Sequence, residues 1–115
     1  MEEIPLIFKQ RDIILVPFPF SDQKGGKIRP AIIISNNKLN KTEDIIVSAI
    51  TSNIKPSPYS INIKEKDLEI KNIKEECCIK VENLLRVKKT LILKKIDSLR
   101  EEAFTEVIER ARNLF

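Results

Sequence analysis

Arg29 opens one apolar run, Pro30-Ala31-Ile32-Ile33-Ile34, and Thr51-Ser52 closes another, Ile45-Ile46-Val47-Ser48-Ala49-Ile50. A guanidinium is always charged, and its planar fork matches two phosphate oxygens. Hydroxyls donate to a phosphate oxygen or accept from a ribose hydroxyl. Set at the ends of short apolar strands, these groups have little room to wander, which suits phosphodiester chemistry. Each has a plainer reading too. Arg29 can pair with a carboxylate at a rim, and Thr51-Ser52 can simply shape a turn. A third group, Lys80-Val81-Glu82, puts a cation and a carboxylate on one face of a strand. That pair reads as phosphate clamp and base, or as a surface ion pair worth under about 1 kcal/mol.

The elements that hold these residues are mostly strands. Residues 12–18, 28–35 and 44–51 are continuous and rich in β-branched side chains, so both faces of each are expected to be covered. Pro19 to Lys27 is a polar loop holding both glycines, Gly25-Gly26, where backbone freedom is concentrated. Thr51 to Pro58 is a second irregular connection, and residues 59–63 alternate as a half-exposed strand. Lys64 to Lys71 reads as a helical turn and Glu76 to Leu84 as a further strand. The period then changes. Leu99, Ala103, Phe104, Val107, Ile108, Ala111, Leu114 and Phe115 form one helical stripe, with Ser98 three residues before Glu101 as a capping box. Strands first and a helix last predict a single domain over 1–115, mainly β, a small barrel buttressed by that helix.

Composition narrows the function. The chain has no histidine, which removes histidine-based triads and acid–base pairs. Two adjacent cysteines, Cys77-Cys78, point to opposite faces of a strand, so no internal bridge is expected; one thiol is expected buried and one peripheral. Without spaced cysteines a zinc site lacks a ligand set, and no cofactor or metal is expected. No apolar run approaches a membrane span, and the N-terminus lacks a signal-peptide pattern, so a cytoplasmic protein is expected. Net charge is only +4, but between Lys80 and Lys95 six basic residues face one acid, Glu82. Such a stretch suits a phosphate-facing patch or a solvated face. Among the aromatics, Phe18 reads as core, while Phe20 at the loop mouth can stack on an unpaired base.

Taken in order, Arg11-Asp12-Ile13-Ile14-Leu15-Val16-Pro17-Phe18-Pro19-Phe20, Arg29-Pro30-Ala31-Ile32-Ile33-Ile34-Ser35, Thr51-Ser52 and Cys78-Ile79-Lys80-Val81-Glu82-Asn83-Leu84 resemble the MazF/PemK-like toxins of type II toxin–antitoxin systems. The resemblance runs on into the terminal helix. It implies an SH3-like small β-barrel of the MazF/Kid/CcdB type with a C-terminal α-helix. It also implies a metal-independent endoribonuclease that cuts single-stranded RNA through a 2′,3′-cyclic phosphate, as a homodimer held in check by a cognate antitoxin, with which it can bind DNA.

On that resemblance Arg29 and Thr51 match catalytic positions, and Glu82 is a base in place of the aspartate of PemK/Kid-type toxins. Lys80 stands where those toxins carry arginine, and so loses the bidentate fork. Substrate contacts are expected from Phe20, Lys24, Lys27, Ser52, Lys80 and Arg86, with the Pro19–Lys27 loop gating the channel. Two rivals keep the fold: a CcdB-like toxin acting on a protein such as gyrase, and a non-catalytic RNA-binding barrel.

Overall fold

The computed structural model describes residues 7–18 and 27–115. Their strands are β1 (Asp12–Phe18), β2 (Lys27–Ile33), β3 (Asp44–Thr51), β4 (Ser60–Ile63), β5 (Cys77–Lys88) and β6 (Lys94–Ser98), followed by the helix α1 (Glu101–Arg112). They form one antiparallel sheet in the order β4-β5-β3-β2-β1-β6.

The central strands are apolar throughout because both sides of the sheet are covered. Ile13, Ile32, Ile50, Ile79 and Val81 point to one side, where Phe104 and Val107 of α1 pack on them. Ile14, Val16, Ala31, Ile33, Ile45 and Val47 fill the other side, under Phe8 and Ile92. Alternation along each strand sends neighbours to opposite layers.

The sheet curls into a half-barrel, and two devices produce the curl. The first is a bulge between β3 and β5: Ala49 pairs with Lys80 but Ser48 with Leu84, leaving residues 81–83 without a β3 partner. The fully buried Ser48 donates its hydroxyl to the Lys80 carbonyl at 2.7 Å and holds the irregularity. Extra residues on one strand bend it and sharpen its twist. The second device joins the sheet's ends. The segment after β4 lies along β6, with a Leu68–Leu99 bridge, Glu69 N–H to Ser98 O at 2.8 Å and Arg100 N–H to Asp67 O at 2.8 Å. Both leucines are essentially fully buried, each contributing about 2–3 kcal/mol.

Several expectations are corrected. β5 runs to Lys88, four residues past Leu84, and β6 was not foreseen, because Lys94-Lys95-Ile96-Asp97-Ser98 shows no apolar alternation. Ser98 ends β6 rather than capping the helix. Its hydroxyl goes to Arg11 O and Asp12 Oδ1, while Arg100 occupies the N-cap without a side-chain cap. Glu101 and Glu102 in the first turn of α1, and Arg110 and Arg112 in the last, complement the helix dipole instead. Cys77 and Cys78 are both buried and unbridged, so neither thiol is peripheral; β5 is covered on both sides at that point. Phe115 leaves the helical stripe and is 96% exposed.

Candidate active site

Arg29 lies on β2 beside the buried Val16 of β1, its register partner. On the other side β2 pairs with β3 through Ala31–Ala49, and the same register carried two residues further sets Arg29 opposite Thr51. Thr51 in turn pairs with Cys78 of β5. A row therefore crosses four adjacent strands, with rigid aliphatic neighbours supporting the half-buried arginine stem. The Thr51 hydroxyl accepts the Asn53 N–H at 3.1 Å, so it shapes the turn and keeps its own hydrogen to donate. The two readings of Thr51 are compatible.

Arg29, Thr51 and Ser52 line one cavity of about 230 Å³. Its walls are mostly aliphatic: Leu15, Ile28 and Pro30 from β1 and β2, Ile50 from β3, Ile96 from β6. The loop before β5 closes it with Ile73 and Glu75, and the first residue of β5, Cys77, completes the lining. Burial pushes the Cys77 thiol up to about 11, with the neighbouring Cys78 and Glu76 adding to the effect. That thiol stays protonated and apolar at neutral pH.

The loop carrying Ile73 and Glu75 is clasped from below. Asp97 of β6, fully buried, accepts N–H bonds from Ile70 at 2.9 Å and Asn72 at 2.8 Å, and from Ser98 at 2.8 Å. Lys71 between those two amides has φ of 67°, the left-handed conformation that turns flanking N–H groups toward a single anion. A β6 carboxylate thus sets the position of the cavity wall.

The remaining expected residues are spread out. Lys80 is half-buried two rows from Thr51–Cys78, and alternation puts it on the Arg29 face. Glu82 is exposed in the bulge, four residues along β5 from Cys78, about 13 Å at the rise of a strand. It is not among the residues that line the cavity shared by Arg29 and Thr51. Arg86 lies further along, bound to Asp44 at 2.9 Å, and Lys95 is held by Asp12 at 3.2 Å, so two residues of the basic stretch are engaged in separate ion pairs. Lys27 is exposed at the start of β2. Phe20 and Lys24, like residues 19–26 of the expected gating loop, lie outside the described residues.

Sequence reading missed Glu75. It stands in Lys74-Glu75-Glu76, a charged run with no periodic signal, and only the loop's return to the sheet carries it to the cavity. Larger hollows of about 520, 480 and 480 Å³ flank α1 beside Arg11, Pro56 and Asn36 and contain neither Arg29 nor Thr51. Among the described residues no three metal-ligating side chains cluster.

A family model described as the PemK-like, MazF-like toxin of type II toxin–antitoxin systems matches residues 9–115, and the chain belongs to that family. No match was found among curated proteins. Solved structures resemble it in fold at low identity. An endoribonuclease in complex with its cognate antitoxin from a mycobacterial species superposes with a TM-score of 0.75 at 12% identity, covering 91% of each chain. The Mycobacterium tuberculosis toxin MazF-mt6 gives 0.73 at 13%, covering 90% of this chain and 94% of that one. A MazE–MazF structure from Deinococcus radiodurans gives 0.75 at 14%, covering 94% and 95%.

Proposed function

We propose that this toxin is an endoribonuclease that cuts single-stranded RNA without a metal ion. The observation that carries the reading is the shared cavity of Arg29, Thr51 and Ser52 on neighbouring strands. In the reaction the ribose 2′-oxygen attacks the adjacent phosphorus. The bond from phosphorus to the 5′-oxygen breaks, the 2′ proton passes to a water molecule, and the leaving oxygen takes a proton from water. The products are a 2′,3′-cyclic phosphate and a 5′-hydroxyl. Arg29 stabilises charge building on the phosphoryl oxygens, and the Thr51 hydroxyl donates to the same group. Ser52 contacts the nucleotide beside it. Lys80, two rows away, meets a neighbouring phosphate as a point charge. Glu82, from where it stands, is not assigned the 2′ proton.

The partners follow from the same charge. A basic groove that holds RNA also holds an extended acidic segment that orders as it binds, the chemistry of an antitoxin tail. Solved relatives described as complexes with a cognate antitoxin support this reading. The active unit is a homodimer in the cytoplasm, where its RNA is found, and sedimentation of the active protein as a monomer would overturn that assembly.

The test is an oligonucleotide cut at one site, with the ribose 5′ to the cut replaced by its deoxy form. Cleavage vanishes and binding stays nearly intact if the 2′-hydroxyl is the nucleophile. Cleavage at a comparable rate, or cleavage that requires added magnesium after chelation, refutes the mechanism.

A further inference from the structure

The cavity is more apolar than a phosphate needs. Arg29 and Thr51 line it from positions that alternation sets on the Val16–Ala31 side of the sheet, while Leu15, Ile50 and Ile73 make walls that would desolvate an ion at a cost. Flat aliphatic walls accept a ring. At about 230 Å³ the space falls below the roughly 300–1,000 Å³ of pockets for larger ligands, and suits one planar group.

Glu75 makes the cavity selective. Glu75 is exposed and contributes the one carboxylate among the lining residues, an acceptor for N–H donors of a bound group. Two oxygens side by side accept two parallel N–H donors. Guanine alone among the four RNA bases presents two adjacent N–H donors, N1–H and N2–H, on one edge. Adenine and cytosine offer an amino group beside an acceptor nitrogen, which a carboxylate repels, and uracil offers a single N–H between two carbonyls.

We infer that this cavity is a guanine subsite: the base flanking the scissile phosphate enters between the aliphatic walls, and Glu75 reads its N1–H and N2–H edge. The assignment rests on the ribonuclease reading above, and it adds a specificity-determining residue. Asp97 is the positioning residue behind it, since its clasp on the Ile70 and Asn72 amides fixes the loop that presents Glu75.

Inosine separates the alternatives without touching the protein, because it keeps N1–H and lacks the 2-amino group. Oligonucleotides carrying guanosine, inosine or adenosine beside the cut are compared in single turnover. With the native protein, inosine cuts roughly 10- to 100-fold more slowly than guanosine, the scale of one hydrogen bond to a charged group. With Glu75→Ala the guanosine-to-inosine ratio falls to near one. An unchanged ratio in the variant, or no preference for guanosine in the native protein, overturns the subsite. Equal loss on all substrates assigns Glu75 to the chemistry instead and overturns it as well.

Guanosine monophosphate titrated by NMR against the other three mononucleotides gives a readout independent of cleavage. Selective guanosine binding that is lost in Glu75→Ala, with no RNA cut, keeps the subsite and refutes the nuclease. Cleavage without guanosine selectivity does the reverse.

Discussion

Two arginines stand at opposite ends of the same sheet, and their surroundings make them different devices. Arg86, near the end of β5, has Asp44 on the neighbouring strand within 2.9 Å, and its side chain is 75% exposed. Its charge is spent on an ion pair in water, worth 1 kcal/mol or less. Arg29 has Val16 and Thr51 as cross-strand neighbours in register, one aliphatic and one a hydroxyl. An acid across the strand makes a structural pair. A hydroxyl and an aliphatic side chain flank Arg29, which lines a cavity. The lesson is that one residue type meets different surroundings at the two strand ends, and the cross-strand partner sets them.

The comparison breaks most sharply on the ribose. Deoxy substitution 5′ to the cut is expected to abolish product while binding persists, by gel assay and titration of one oligonucleotide. Next is Arg29→Ala, expected to lower the single-turnover rate by roughly 10² or more, the loss of one transition-state donor. Arg29→Lys is expected to recover little, since a point charge does not span two oxygens. Arg86→Ala, measured alongside, is expected to change the rate by only a few-fold; an equal loss at both arginines would erase the distinction between the two ends.

Smaller effects sharpen the picture of what supports the Arg29 end. Asp97→Asn replaces a two-oxygen acceptor of three N–H bonds by a group with one acceptor, and is expected to cost about 2–3 kcal/mol in denaturant unfolding. A cost within error of zero would remove the clasp from the account. For Cys77 the folded thiol titrates at about 11 against an ordinary 9.0, so the folded state holds its proton longer. Stability from this group is complete below pH 9 and falls as pH rises from 9 through 11, by about 2–3 kcal/mol in all. The difference between the native protein and Cys77→Ser, followed by melts from pH 8 to 11, reads that window directly. Smallest is Arg86→Ala on stability, expected to shift unfolding by about 1 kcal/mol or less.

The sequence by itself determined the strands of the centre and the residues that start and end them. Runs such as Ile13-Ile14-Leu15-Val16 and Ile45-Ile46-Val47 have one local reading, because β-branched residues in unbroken succession suit a sheet covered on both faces. Arg29 and Thr51 were legible for the same reason: each is the polar residue at the boundary of such a run, and the family resemblance gave them a role. The stripe of α1 was legible down to Leu114, though not its start, since Ser98 had a better use in a strand than at a cap.

Tertiary structure alone decided the rest. β6 is mostly polar, and it exists because the open edge of β1 offers it backbone partners, an interaction that leaves no trace in side-chain pattern. The bulge at residues 81–83 is a relation between two strands 32 residues apart, held by Ser48 and Lys80, and it leaves Glu82 without a β3 partner. Glu75 reaches the cavity only because Asp97, 22 residues later in the chain, gathers the loop beneath it. Local preference is a property of neighbours in sequence, so it reveals strands. A site is a set of distances between residues far apart in sequence, and only packing sets those.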